Sequence, residues 1–206
     1  MAGSSFRWPI VVASIACMVH APSSRGQASS TGQSGLIHMP DARVEPEGTW
    51  RLGAGNSDPY FTLWSSVTVL PRLELSGRFT RIDNVPAFSD GSHYGDYKDK
   101  AFDAKLMVWK ESAYLPAASI GVQDFTGTRL FRARYVALGK QIGDVDATLG
   151  YGEQRLDRWF GGLRYTPGWN PRWSVVAERD ANRYAEDHRA ELSGAAMRRG
   201  GATFGI

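Results

Sequence analysis

From Thr49 onward, apolar and polar positions alternate with period two over stretches of about ten residues, and turn-forming residues separate the stretches. Leu73, Leu75 and Phe79 share one face, with Glu74, Ser76, Arg78 and Thr80 on the other. Phe102, Ala104, Leu106 and Val108 oppose Asp103 and Lys105. Further along, Phe131, Ala133, Tyr135 and Ala137 oppose Arg132 and Arg134, and Val145, Ala147, Leu149 and Tyr151 oppose Asp146, Thr148 and Gly150. Trp159, Gly161, Leu163 and Tyr165 oppose Phe160, Gly162 and Arg164. Such a ladder predicts an all-β, antiparallel, up-and-down sheet of roughly ten strands. The one ambiguous stretch is Ala190 to Arg199, where Gly194 weakens a helix.

The connections alternate in character. Leu70-Pro71-Arg72, Glu111 to Pro116, Gln141 to Asp144 and Thr166 to Pro171 are short, whereas residues 83–98, Gln123 to Leu130, Glu153 to Asp157 and Arg179 to His188 are polar and, for the most part, longer. Short turns at one end and longer loops at the other are the layout of an outer-membrane barrel. The apolar face is rich in Ala and Gly, with Phe79, Phe131, Tyr151 and Trp159 expected near the loop end and Tyr114, Tyr165 and Trp173 near the turn end. Two aromatic rims suit two membrane–water interfaces. The opposite face carries Glu74, Arg78, Asp103, Lys105, Arg132, Arg134, Asp146, Arg164 and Glu178. Basic groups on the lipid side would each cost about 2–4 kcal/mol at the midplane, so these residues are expected to line a wet or salt-bridged lumen. A soluble antiparallel sheet with one solvated face would show the same alternation.

The N-terminus supplies the targeting information. Arg7, the apolar run Pro9 to Val19 and the small residues after it read as a signal peptide, with cleavage expected after Ala28 and residues 1–28 removed. Cys17, preceded by Ala16, is an alternative lipid acceptor, although Ser14 and Ile15 fit that motif poorly. Residues 29–48 then form a periplasmic N-terminal segment, and residues 49–206 form the β-barrel region. Among 206 residues there is one Cys, which excludes a disulfide framework. The net charge is +3, but losing residues 1–28 removes Arg7 and Arg25 and no acid, leaving 22 basic against 21 acidic groups. Charge therefore gives no support to a nucleic-acid partner.

Candidate chemistry is sparse. Among the four His residues, His20 leaves with the signal, His38 sits beside Met39 and Pro40, and His93 and His188 fall in loops. No metal-ligand spacing is present, and no metal or cofactor is expected. Ser89, Ser92, His93, Asp90 and Asp96 share one loop, but these residue types make turns, and no G-x-S-x-G elbow accompanies them. Glu74, Asp103, Asp146 and Glu178 could imitate a glycosidase pair, yet lumen carboxylates ordinarily neutralise neighbouring Arg and Lys. The residues therefore predict a protein that is not an enzyme.

Gly35-Leu-Ile-His-Met-Pro-Asp-Ala-Arg43 resembles the opening motif of the YjbH family of outer-membrane proteins. Leu70 to Thr80, Tyr97 to Lys105, Glu111 to Phe125 with Gly127-Thr128, and Asp144 to Gly152 follow in the order of that family. Phe160-Gly-Gly-Leu163 and Trp173 to Asp180 with Tyr184 complete the series. The resemblance implies a transmembrane β-barrel in the cell outer membrane that takes part in exopolysaccharide biosynthesis or export as a non-catalytic conduit or assembly component. Its implied partners are outer-membrane lipid, acidic exopolysaccharide met by the lumen charges, and other polysaccharide-export proteins. Family members are longer, and the chain ends at Ile206 inside a strand-like stretch, so a truncated barrel is expected. Two alternatives stay open: an outer-membrane enzyme acting on lipid or glycan, and a soluble secreted β-sandwich that binds carbohydrate.

Overall fold

A computed structural model describes residues 27–88, 95–184 and 200–206. The signal peptide up to residue 26, Cys17, the Ser89–His93 cluster, His188 and the ambiguous 190–199 stretch lie outside these described residues. The strands are β1 (Trp50–Ser57), β2 (Tyr60–Leu70), β3 (Leu73–Pro86), β4 (Asp96–Trp109) and β5 (Ala117–Gly127). They continue as β6 (Ala133–Ile142), β7 (Val145–Gln154), β8 (Arg158–Tyr165), β9 (Val175–Arg179) and β10 (Ala202–Gly205). Each strand pairs antiparallel with the next in one sheet, as the alternation predicts. Among the described residues no pairing joins β1 to β10, so the sheet is not a closed barrel.

Loop length separates the two ends less than expected. Residues 71–72 and 143–144 are tight turns at one end, but residues 58–59 make an equally tight turn at the other. Longer strands also shorten the predicted 83–98 loop to residues 87–95.

The sheet curls around the chain's own N-terminal segment. Part of the segment 29–48 lies against the concave face, where Gln33, Leu36, Met39, Asp41 and Ala42 are buried. Ala28 bridges to Ser34, and the Gly35 N–H donates to the Gln27 carbonyl, so the segment enters as a narrow hairpin. Its Leu36, Met39 and Ala42 pack with Ala133, Tyr135, Ala137, Phe160 and Val176 of the sheet. Small residues make this approach feasible: the Tyr135 ring lies over Gly121 and the Phe160 ring over Gly150, places where a Cβ would collide with the ring.

The two faces have opposite character. Lys105 is 0% exposed and Glu74 1%, whereas Leu149 is 54% exposed and Phe102 53%. Water-soluble folds do the reverse. Leu75, Leu106 and Leu149, which would meet in the centre of a two-layer sandwich, all lie on the outer surface. Aromatic pairs stand near both strand ends, with Tyr151 and Trp159 centroids 5.3 Å apart at the loop end and Tyr165 and Trp173 6.4 Å apart at the turn end. Phe131 is a correction: it belongs to the interior, packed with Tyr60, Ile82, Val85 and Tyr184.

Candidate functional site

The concave face has two parts, a charged cradle for the opening motif and a cleft above it toward the loop end. In the cradle, period-two alternation points every second side chain of each strand inward, and the curl brings distant strands within reach of one short peptide. Glu74 on β3 accepts hydrogen bonds from the Ser34 N–H at 2.7 Å and from the Ser34 hydroxyl, and it pairs with Arg51 at 3.1 Å. Lys105 on β4 donates to the Ser34 carbonyl at 2.7 Å and to Asp41 at 3.0 Å. Arg164 on β8 donates to the Gly35 carbonyl and reaches Asp41 at 3.5 Å.

Glu178 on β9 gathers the N–H groups of Ile37, His38 and Met39 at 3.0, 2.8 and 3.2 Å. Asp146 on β7 grips Arg43 through Nε at 3.1 Å and Nη2 at 2.9 Å, the side-on bidentate arrangement. Arg43 also reaches Glu111 at 2.7 Å in the β4–β5 connection. Burial pushes the Asp41 carboxyl up, but Lys105 and Arg164 outweigh it and hold the group below the ordinary carboxylate range. At Glu111 desolvation likewise pushes upward and is outweighed by hydrogen bonds from Arg43, Gln141 and Lys140, so its carboxyl also lies low.

Five of the nine residues expected to line the lumen, Glu74, Lys105, Asp146, Arg164 and Glu178, are thus committed to the segment Ser34–Arg43. Arg78 and Asp103 pair with each other at 3.4 Å, and Asp103 also accepts the Asp124 N–H at 2.7 Å. The remaining two are corrections. Arg132 and Arg134 point outward, because Ala133, Tyr135, Ala137 and Gly139 take the inner positions of β6 where the segment approaches most closely. Arg134 faces Glu153 of β7 across the loop end of the sheet, away from the midplane.

The cleft is small, with a volume of about 60 Å³, and is open on one side. Arg155 lies over the rings of Phe131, Tyr184 and Tyr60, with guanidinium-to-centroid distances of 4.8, 5.2 and 6.0 Å. Arg78 approaches the Phe131 ring at 5.6 Å. Hydroxyls of Thr62 and Thr80, 3.3 Å apart, and the amide of Asn182 supply neutral polar lining. Tyr60, Phe131, Arg155 and Tyr184 escape sequence reasoning because more than a hundred positions separate the first from the last; only the curl unites them. Asp41, Ser34 and Arg43 were closer to view, since a charged pair inside an apolar, proline-bearing motif asks for buried partners. No cluster of His, Cys, Asp and Glu suited to a metal occurs among the described residues.

Comparison with known proteins supports the sequence resemblance. The chain is 40% identical over 126 residues to a protein of Escherichia coli strain K12 named "Uncharacterized lipoprotein YjbH", a match covering 60% of this chain and 18% of that relative. The chain thus spans less than a fifth of that relative's length. No solved structure matches. The family model YjbH, described as exopolysaccharide biosynthesis protein YbjH, matches residues 27–159, well over half the chain and the whole of the opening motif with its cradle as far as β7. The chain belongs to the YjbH family of exopolysaccharide biosynthesis proteins.

Proposed function

We propose that this chain is part of an outer-membrane β-barrel that takes a non-catalytic part in exopolysaccharide biosynthesis or export, with its opening motif held inside the wall. The observation that carries the reading is the inversion of the two faces: Lys105, Glu74 and Arg164 are buried while Leu149, Phe102 and Leu163 are exposed. Outer faces of that composition are stable against acyl chains, and paired inner charges avoid the cost of contacting them. In lipid, the backbone groups at the β1 and β10 edges need partners worth several kcal/mol each, so the working state pairs those edges.

A non-catalytic role fits the engagement of the inner carboxylates, since Glu74, Asp146 and Glu178 each bind the segment and Asp103 binds Arg78. The occupied interior favours handling or assembly of the polymer over passage through an open lumen. The lipoprotein name of the relative supports a membrane location. The test is fractionation of a producing strain with and without the gene. The expected result is recovery of the protein in outer membranes and less extracellular polysaccharide on deletion. Recovery in the soluble periplasm, or unchanged polymer, would overturn the proposal.

A further inference from the structure

We infer that the loop-end cleft binds an acidic sugar unit, holding its carboxylate on the side-on edge of Arg78. The inference rests on the polysaccharide role proposed above and names the ligand class of one site within it. Its physical starting point is an imbalance between two arginines of the same interior. Arg43 presents Nε and Nη2 to the two oxygens of Asp146. In Arg78 the corresponding atoms, Nε and Nη2, are buried and have no hydrogen-bond partner among the described residues. Only Nη1 is engaged, at 3.4 Å from Asp103. The side chain is 3% exposed and lines the cleft, so that edge is screened from bulk solvent and faces only the cleft.

Leaving two charged donors unmatched in a buried place is expensive, and a planar carboxylate is the group whose oxygens match that spacing. The cleft around this edge has the composition of a carbohydrate site. None of its described lining residues is acidic; the nearest carboxylates, Asp103 against Arg78 and Asp180 behind Asn182 and Tyr184, are each engaged by those residues. Arg155 adds a second cation at the rim, and the rings of Tyr60, Phe131 and Tyr184 supply an apolar wall. Thr80 and Asn182 offer a hydroxyl and an amide to sugar hydroxyls. A few convergent polar groups on an aromatic wall are the usual composition of a small-ligand site.

The experiment uses the full chain in detergent micelles, titrated calorimetrically with tetragalacturonate, with the neutral maltotetraose, and with inorganic phosphate. The expected result is binding of the uronate oligomer at least about tenfold tighter than the neutral one, with phosphate a weak competitor. Arg78→Gln is expected to abolish that preference. Because Arg78 also pairs with Asp103, strand content and heat-modifiable mobility are checked in parallel, and Arg155→Gln, at the rim, supplies a second variant expected to weaken uronate binding severalfold. Equal affinity for acidic and neutral oligomers would overturn the inference, as would displacement by phosphate at equal concentration or folded variants that bind like the parent. These outcomes are independent of the fractionation test: a membrane protein needed for polymer production but indifferent to uronate refutes this inference alone.

Discussion

Replacing Lys105 by methionine removes the ammonium that joins the Ser34 carbonyl to Asp41, at the point where the opening motif is most deeply buried. Methionine fills much of the volume, so the principal loss is electrostatic. Removing one partner of a buried ion pair costs about 3–5 kcal/mol, because the remaining charge is stranded. Arg164 stays near Asp41 at 3.5 Å, which places the expected loss at the lower end, about 3 kcal/mol. That corresponds to roughly a hundredfold increase in the population with the segment released.

Hydrogen exchange of the peptide spanning residues 33–43, followed by mass spectrometry in micelles, reads this population directly. The double variant Lys105→Met with Asp41→Asn should recover much of the loss, since no bare carboxylate is then buried. Acidification adds an independent check. A carboxyl held low in the folded state contributes stability above its unfolded value near about 4, and loses it as pH falls through the depressed value. Removing Lys105 takes away the larger attraction on Asp41, so release on acidification should begin at a higher pH in the variant than in the parent. Exchange of residues 33–43 changed by less than about threefold in Lys105→Met, equivalent to roughly 0.7 kcal/mol, would refute the seating of the segment on β4.

Three further substitutions or measurements probe other parts of the argument. Leu149→Arg places a cation on the outer face near the middle of β7, and should destabilise the protein in bilayers by about 2–4 kcal/mol, measured by denaturant titration in vesicles; a change near zero would mean that this face meets water. Gly121→Val puts a side chain where the Tyr135 ring lies, and should cost about 1–3 kcal/mol and break the Tyr135 hydroxyl bond to Gln33, visible as altered tyrosine fluorescence. Intact mass of the mature protein distinguishes cleavage after Ala28 from acylation at Cys17. Cleavage after Ala28 would remove the Gln27 carbonyl that accepts the Gly35 N–H and the Ala28 bridge to Ser34, so a mature N-terminus at Ser29 is expected to loosen the turn at residues 29–35.

Most of the strand pattern was legible because period two survives wherever one face is charged, as in Leu73–Thr80 and Val145–Gly152. The phase of β6 was not. Its stretch Phe-Arg-Ala-Arg-Tyr-Val-Ala-Leu-Gly-Lys offers two apolar sets, and a rule that sends charges inward chooses Arg132 and Arg134. What decides the phase is the volume left for Ala42 beside Ala137 and Gly139, together with the outward pull of Val136 and Leu138. Apart from Arg132 and Arg134, the charged residues expected inside do lie there, but their partners were not legible, because hydrogen bonds such as that from the His38 N–H to Glu178 span 140 positions. No local pattern encodes a meeting at that separation; curvature does.

The same long-range bonds bear on the order of events in assembly. Ser34 belongs to β3 through Glu74 and His38 to β9 through Glu178, so five residues of peptide tie together strands synthesised about a hundred positions apart. A nascent sheet that has reached only its fourth or fifth strand can hold one end of this peptide, not both. The segment therefore works as a gauge of completion: it locks at both ends only when the late strands have arrived, and until then Glu178 has no peptide to hold.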